Sequence, residues 1–206
     1  MTISRNISVM AQGANSSGIL AGGYGGLGAS VSPTTAGNVL FTADGSVWSS
    51  TQKIVQGTTV ATTSGTSIDF TSIPSWVKRV TIMFNGVSTS GTSPFLIQLG
   101  AGSVTVTGYI STGQTITGGT GGANTSSTAG MVVYSSSAAS ISSGHMLLTT
   151  MGSNLWISSH TLKTTTTACL FGAGDKTLSG TLDRVRLTTV NGTDTFDAGS
   201  VNILYE

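Results

Sequence analysis

The residues whose spacing is most suggestive of chemistry are glycines near the N-terminus. The stretch GGYGGLG, residues 22–28, contains the pattern G-x-G-x-x-G of a dinucleotide-binding loop. In such a loop the glycines turn a buried strand into an amphipathic helix, whose N-terminus binds the pyrophosphate. Here only Ile19 and Leu20 are consecutive apolar residues upstream, and the downstream ASVSPTTAG disfavours helix. We therefore predict no nucleotide site and no cofactor.

Residue types that commonly carry out catalysis are scarce. His145 and His160 are the only histidines, Glu206 is the only glutamate and Cys169 is the only cysteine. One chain therefore lacks the further His or Cys ligands that a zinc site requires. Both histidines are expected to be ordinary residues at strand ends. Because Cys169 lies in the apolar run TACLFGAG, we expect a buried, inert thiol. Because catalytic residue types are so scarce, we expect no enzymatic activity.

Two aspartates near the C-terminus are the best candidates for paired carboxylates. Asp194 and Asp197 lie in NGTDTFDAG, where Asn, Gly, Asp and Thr favour a turn between two strands. A weak calcium site at this turn is the alternative interpretation.

Composition restricts the class of protein further. Of 206 residues only 7% are charged, 29 are glycine, and the formal net charge is +1. Disordered chains combine low hydropathy with high net charge, whereas the mean hydropathy here is +0.26, so we expect a packed fold. The 8 Lys and Arg residues are scattered, which argues against a nucleic-acid partner. No apolar stretch is long enough to cross a bilayer, so membrane insertion is not expected.

Three regions are predicted along the chain. Residues 1–32 show little hydrophobic periodicity and predict an extended Gly/Ser-rich arm that folds against a partner. Its glycines would let the backbone lie close to another protein or add a strand to a sheet edge. Residues 33–57 contain an Asp-Gly turn between two apolar runs, which predicts a small hairpin with Trp48 on one face. The apolar contacts of the arm are assigned to Ile7, Val9, Ile19, Leu20, Tyr24 and Leu27.

Residues 58–206 predict an all-β domain. In VKRVTIMFNGV, alternation places Val80, Ile82 and Phe84 on one face of a strand. Helical periodicity is absent, and the short apolar runs are separated by Gly, Ser, Thr and Asn. We predict an antiparallel, jelly-roll-like β-sandwich of about eight strands. Further strands are expected at residues 95–99, 104–110, 130–134, 145–151, 155–162, 167–171, 182–189 and 201–205.

One segment of this domain is expected to lack strands. GQTITGGTGGANTSSTAG, residues 113–130, has Ile116 as its only large apolar residue and predicts a long loop. Long exposed loops on β-scaffolds often carry binding sites.

Two stretches suggest a family. PTTAGNVL, residues 33–40, followed by Asp44-Gly45 and Trp48, resembles the "GNVL, turn, DG, W" segment of fibre-type structural proteins of tailed bacteriophages. Residues 65–99 and the ending DTFDAGSVNILYE resemble a β-domain at the distal end of such fibre and virion-surface proteins. The resemblance implies a trimeric virion protein, anchored to capsid or tail proteins through its N-terminus, with the C-terminal domain exposed for attachment to a host surface. Long fibre shafts are absent, which leaves a short fibre, a spike and a capsid decoration protein open.

The sandwich also carries candidates for contacts with other molecules. Trp76, Val77 and Met83 are assigned to a subunit interface, with core packing as the alternative. A carbohydrate-binding module without a structural role is the second interpretation of the whole chain. An enzyme acting on surface polysaccharide is the third, and it would need carboxylates from two subunits. The aromatic side chains expected near loop ends, which would stack on a host-surface glycan, are Tyr109, Tyr134 and Trp156.

Overall fold

The structure is a computed structural model that describes residues 38–42, 48–52, 54–134, 137–164 and 167–206. The chain divides into two units, Met1–Ile54 and Val55–Glu206. All strand pairs of the described residues are antiparallel, and no helix occurs among these residues. The predicted all-β class is therefore confirmed. In the described part of the chain, no helix is long and apolar enough to span a membrane.

The first unit contains the predicted hairpin. Strand β1 (Asn38–Thr42) pairs with β2 (Trp48–Gln52), and Thr42 lies opposite Trp48. The pairing confirms the Asp-Gly hairpin prediction, although the turn itself and the packing of the Trp48 side chain lie outside the described residues.

The larger sheet of the second unit has nine strands within the described residues. The two strands at one edge, β3 (Val55–Gln56) and β4 (Val60–Ala61), both pair with the C-terminal strand. From that edge to the other, the remaining strands are β16 (Phe196–Tyr205), β6 (Arg79–Thr89), β12 (Ser142–Gly152), β13 (Leu155–Thr164), β14 (Ala168–Thr177), β9 (Ile110–Thr117) and β10 (Thr120–Ser127).

The smaller sheet has five strands within the described residues. Its strands are β5 (Ile68–Thr71), β15 (Arg184–Thr189), β7 (Phe95–Ala101) and β11 (Met131–Val133) in spatial order, with β8 (Ser103–Val104) paired to β7. The chain passes repeatedly from one sheet to the other, as at β5 to β6, β6 to β7, β11 to β12 and β14 to β15. The predicted antiparallel β-sandwich is confirmed, with more strands than the expected eight or so.

The core lies between the two sheets. Val80, Ile82 and Phe84 of β6 are buried, as their alternation predicts, while Arg79 at the start of the strand is exposed. Strand β13 alternates in the same way along most of its length. Strand β7 is buried at six consecutive positions, which fits its place in the interior of the smaller sheet.

The sandwich begins earlier than residue 58. Strand β3 pairs with β16, and the Gly57 N–H donates a hydrogen bond to the Ile203 carbonyl at 2.8 Å. The domain boundary, expected after residue 57, instead lies after Ile54. Backbone pairing at the sheet edge includes residues that the apolar pattern of the sequence did not mark as strand.

The prediction of a long loop at residues 113–130 is wrong. Most of this segment belongs to the hairpin β9–β10, in which Thr117 lies opposite Thr120. Gly118 and Gly119 form the two-residue turn with φ of 59° and 80°, the positive values that a type I′ turn requires. The segment is held by backbone pairing of β9 with β14 rather than by apolar side chains, so hydrophobic pattern did not reveal it.

The strand predicted at residues 104–110 is also wrong. Strand β8 ends at Val104 and β9 begins at Ile110, and the loop between them contains Gly108 at a φ of 73°. The side chain of Tyr109 attaches this loop to the sandwich by hydrogen bonds. Its hydroxyl accepts a hydrogen bond from the Leu99 N–H at 2.7 Å and donates to the Thr105 carbonyl at 2.9 Å. Burial raises the pKa of Tyr109 to about 12, so the hydroxyl keeps its proton near neutral pH.

Replacement of Tyr109 by Phe should destabilise the sandwich while keeping its fold. Leu99 is fully buried, so its N–H would lose its partner without access to water. An unsatisfied buried donor costs about 1–3 kcal/mol. Urea unfolding followed by fluorescence should show a lower midpoint with an unchanged slope, and an unchanged midpoint would contradict this role of the hydroxyl.

Candidate functional site

Acidic and metal-binding side chains are dispersed over the sandwich. Within the described ranges, no three or more His, Cys, Asp or Glu side chains come together as a metal site. Asp194 accepts hydrogen bonds from the Asn191 amide at 2.6 Å and the Ser93 N–H at 3.0 Å, and these bonds lower its pKa. Asp197 accepts a hydrogen bond from the Ser88 hydroxyl. Each carboxylate therefore has protein donors of its own, which supports the turn and gives the calcium alternative no support.

The outer face of the smaller sheet carries ion pairs that connect its strands. Arg186 of β15 binds Asp69 of β5 through two hydrogen bonds, at 2.7 and 2.8 Å, and this contact lowers the pKa of Asp69. Arg184 binds the preceding Asp183 at 2.8 Å. Such exposed pairs contribute little to stability, because water screens their attraction. They neutralise one another and offer a ligand little net charge.

His160 lies in the core, in the interior of β13, and not at a strand end as expected. Its side chain is 4% exposed, and neither ring nitrogen has a hydrogen-bond partner among the described residues. Gly172 lies opposite on β14, where any Cβ would collide with the imidazole ring and with the Thr112 carbonyl. Burial lowers the pKa of His160 to about 4, so the ring is neutral near pH 7.

Cys169 is exposed, so the prediction of a buried thiol is wrong. Leu170, the next residue of β14, points into the core and is 1% exposed. Strand alternation then directs Cys169 outward, opposite Lys163 and Ile116 of the neighbouring strands. An apolar run shows that a strand is buried on one face but does not identify which residues face the core.

Two of the three predicted glycan contacts are core residues. Tyr109 is 1% exposed and Trp156 is 3% exposed, so neither ring can stack on a sugar outside the protein. The prediction was wrong for both because their strand register and loop closure turn them inward. Tyr134 is half-buried against the core.

The predicted interface residues differ in position. Val77 is buried in the core, which corrects its assignment to a subunit interface. Trp76 remains 44% exposed, with its ring centroid 5.9 Å from that of Tyr205. Met83 is half-buried on the outer face of β6. The six residues assigned to the N-terminal arm lie outside the described residues: Ile7, Val9, Ile19, Leu20, Tyr24 and Leu27.

A row of side chains crosses the outer face of the larger sheet. In register, Asn124 of β10 lies opposite Gln114 of β9, and Gln114 opposite Phe171 of β14. Phe171 lies opposite Thr161 of β13, and Thr161 opposite His145 of β12. We call these five residues the Phe171 row. With neighbouring strands about 4.8 Å apart, the row spans about 19 Å.

A shallow groove of about 340 Å³ runs beside Phe171 at the β10 end of this row. Phe171 and Gln114 are half-buried, whereas Asn124 is exposed. The lining is formed by Thr112, Gly113, Gln114, Asn124, Phe171, Gly172 and Ala173, none of which is ionisable. We call this the Phe171 groove. Its hydroxyl, amide and aromatic groups can bind a ligand by hydrogen bonds and ring contact.

Sequence reasoning missed the Phe171 groove because two of its three strands were not recognised as neighbours. The loop prediction at residues 113–130 removed β9 and β10 from the sheet, so Gln114 and Asn124 could not be placed beside Phe171. The available signal was the run of alternating positions Cys169, Phe171 and Ala173, whose outward direction follows once Leu170 is placed in the core.

Comparison with known proteins identifies no family. No protein-family model and no curated protein matches this sequence. Among solved structures, a chain in "Structure of infectious bursal disease virus Gx strain" is similar with 11% identity and a TM-score of 0.16. The alignment covers 84% of this chain and 43% of that chain, so the present chain spans less than half the length of the viral one. At this TM-score the similarity supports no argument about fold or function.

The stability of the sandwich should fall with acidification because of His160. The pKa of the buried ring is about 4 in the folded state against 6.5 when exposed, so the unfolded chain binds more protons between these values. The contribution of His160 to the free energy of unfolding is therefore complete above pH 6.5. The free energy of unfolding falls by roughly 3 kcal/mol as the pH is lowered to 4.

Urea unfolding at several pH values would measure this dependence in the parent chain and in two variants. His160→Leu should remove most of the slope between pH 6.5 and 4. His145→Gln, on the exposed face of the same sheet, should keep it and serves as the matched control. Equal slopes in the parent and His160→Leu would contradict the assignment.

Proposed function

We propose that this chain is a structural protein at the surface of a tailed-bacteriophage particle, with its β-sandwich displayed outward. The observation that carries the proposal is the division into two units, of which Val55–Glu206 has its own core. The first unit contains the hairpin β1–β2, whose sequence carries the resemblance to phage fibre-type proteins. An anchoring segment followed by a self-contained distal domain is the organisation that this resemblance implies.

The surface of the sandwich supports a role in display. Three Arg side chains are paired with carboxylates, at Arg79–Glu206, Arg184–Asp183 and Arg186–Asp69. The exposed surface is otherwise rich in hydroxyl groups and glycine, which fits a chain with 7% charged residues. Such a surface attracts few molecules by charge alone, an advantage for a domain that must reach one specific surface.

We also propose that the chain assembles as a trimer and binds other virion proteins through its N-terminal arm. Trp76 is the interface residue that we propose for the sandwich, because it is a large aromatic side chain with 44% exposure and tryptophan is enriched among the residues that dominate binding at interfaces. A short fibre, a spike and a capsid decoration protein all fit this arrangement.

A carbohydrate-binding module without a structural role is the second candidate function. The Phe171 groove favours it, because an uncharged groove with amide and aromatic groups is suited to a neutral ligand. Absence of the chain from particles, together with sugar binding, would select this candidate.

The virion role can be tested on particles. Negative-stain electron microscopy of purified particles from cultures that express this chain should show labelling by gold-conjugated antibody to the sandwich. Particles purified from cultures with the gene deleted provide the control. Unlabelled particles that also lack the chain in mass spectrometry would overturn the proposal.

Trimer assembly is tested separately on the purified full chain. Light scattering should give three times the chain mass of 20.7 kDa. Trp76→Ser should shift the protein towards monomer, because it removes an apolar contact between copies. Val190→Ser, at a residue that is 50% exposed, is the matched control and should remain trimeric. A monomeric parent chain at all concentrations would contradict the trimer.

A further inference from the structure

We propose that the Phe171 groove binds an uncharged oligosaccharide. The biological role of this binding rests on the proposed function, because an outward-facing sandwich would present the groove to a host surface. The binding itself depends on the groove alone, and it can be tested on the purified chain.

The lining excludes a ligand that is recognised by charge. None of the seven residues that form the groove is ionisable. On the same face of β14 and β13, Lys163 lies one row away, opposite Cys169, and Asp175 lies two rows away on the other side, opposite Ile157. A phosphate or carboxylate ligand would have no cation in the groove, whereas a neutral ligand loses little by entering it.

The groups that are present match the two sides of a sugar ring. A pyranose has an apolar face of C–H groups and a rim of hydroxyl groups, each of which donates and accepts hydrogen bonds. The half-buried side chain of Phe171 offers a flat apolar ring. Gln114 and Asn124 lie directly across the next two strands, and their side-chain amides carry both donors and acceptors. The Gln114 amide nitrogen donates one hydrogen bond to the Gly122 carbonyl at 3.4 Å, which leaves its oxygen and its second N–H for a ligand.

Small residues line the groove beside the Phe171 ring. Ala173 follows on the same face of β14, and the backbone of Gly113 and Gly172 also lines the groove. A ring can therefore lie against Phe171 without meeting a large side chain. The Phe171 row continues through Thr161 to His145, which gives a linear oligosaccharide a polar path along about 19 Å.

The strands beneath the groove are held from the other side. The Ser111 hydroxyl on the inner face of β9 accepts a hydrogen bond from the Val132 N–H of β11 at 2.7 Å. A Cβ at Gly113 would approach the Val132 carbonyl to 2.9 Å, so the two backbones are in close contact. A site on strands fixed in this way is preorganised, and little conformational entropy is lost on binding.

The test is a titration of the ¹⁵N-labelled full chain followed by NMR. The probes are three neutral hexasaccharides, maltohexaose, mannohexaose and N-acetylchitohexaose, with a heparin hexasaccharide as the charged comparison. At least one neutral probe should shift the amide signals of Gly113, Gly172 and Ala173 in a saturable way. Phe171→Ala should weaken that binding roughly tenfold. Ile157→Ala, on the same face and 41% exposed, is the matched control and should bind as the parent does.

Four results would overturn the inference. One is the absence of shifts at the groove with all three neutral probes at millimolar concentration. Another is equal affinity of the parent and Phe171→Ala, and the third is a stronger response to heparin than to any neutral probe. Dilution shifts at the groove without sugar would show that a second copy covers it, which also overturns the inference. None of these results depends on whether particles carry the chain, so the virion proposal is judged independently by antibody labelling.

Discussion

The close approach of β9 to the backbone of β11 on one side and to the backbone of β14 on the other is the constraint on which this part of the larger sheet depends. Side chains cannot fill the space between them: a Cβ at Gly174 would approach the Met131 sulfur to 2.9 Å. Several inner positions of β9 and β14 are therefore glycine or serine, as at Gly113, Gly172 and Ser111, whereas Leu170 of β14 fills the core further along the strand. Because alternation is strict, the residues between them must face outward, and this places Phe171 on the surface.

Glycine at position 172 of β14 explains the least favourable feature of the core. The imidazole of His160 occupies the room that Gly172 leaves on the inner face, where it has no hydrogen-bond partner among the described residues. A neutral ring in this position fills space, which favours packing, but its nitrogen atoms lose their solvation. One set of glycines thus produces both an outward surface that can bind a ligand and an acid-sensitive interior.

The sequence was sufficient for elements whose side chains alternate in polarity. Val80, Ile82 and Phe84 were placed on the core face of β6, and Asp44-Gly45 was placed between the strands of the first hairpin. It was insufficient where backbone pairing holds the chain without apolar side chains, as in β10, whose residues read TGGANTSS. It also could not give the direction of a uniformly apolar run, so Cys169 and Trp156 were assigned to the wrong sides.

Close approaches on the inner face, at Gly172 and Gly174, fix the register of β14, with Leu170 inward and the residues on either side of it outward. Thiol titration of the folded chain tests it most directly, because Cys169 is the only thiol. One thiol per chain should react without denaturant, at the rate of an exposed cysteine. A thiol that reacts only after unfolding in urea would place Cys169 in the core and contradict the outward orientation of Phe171.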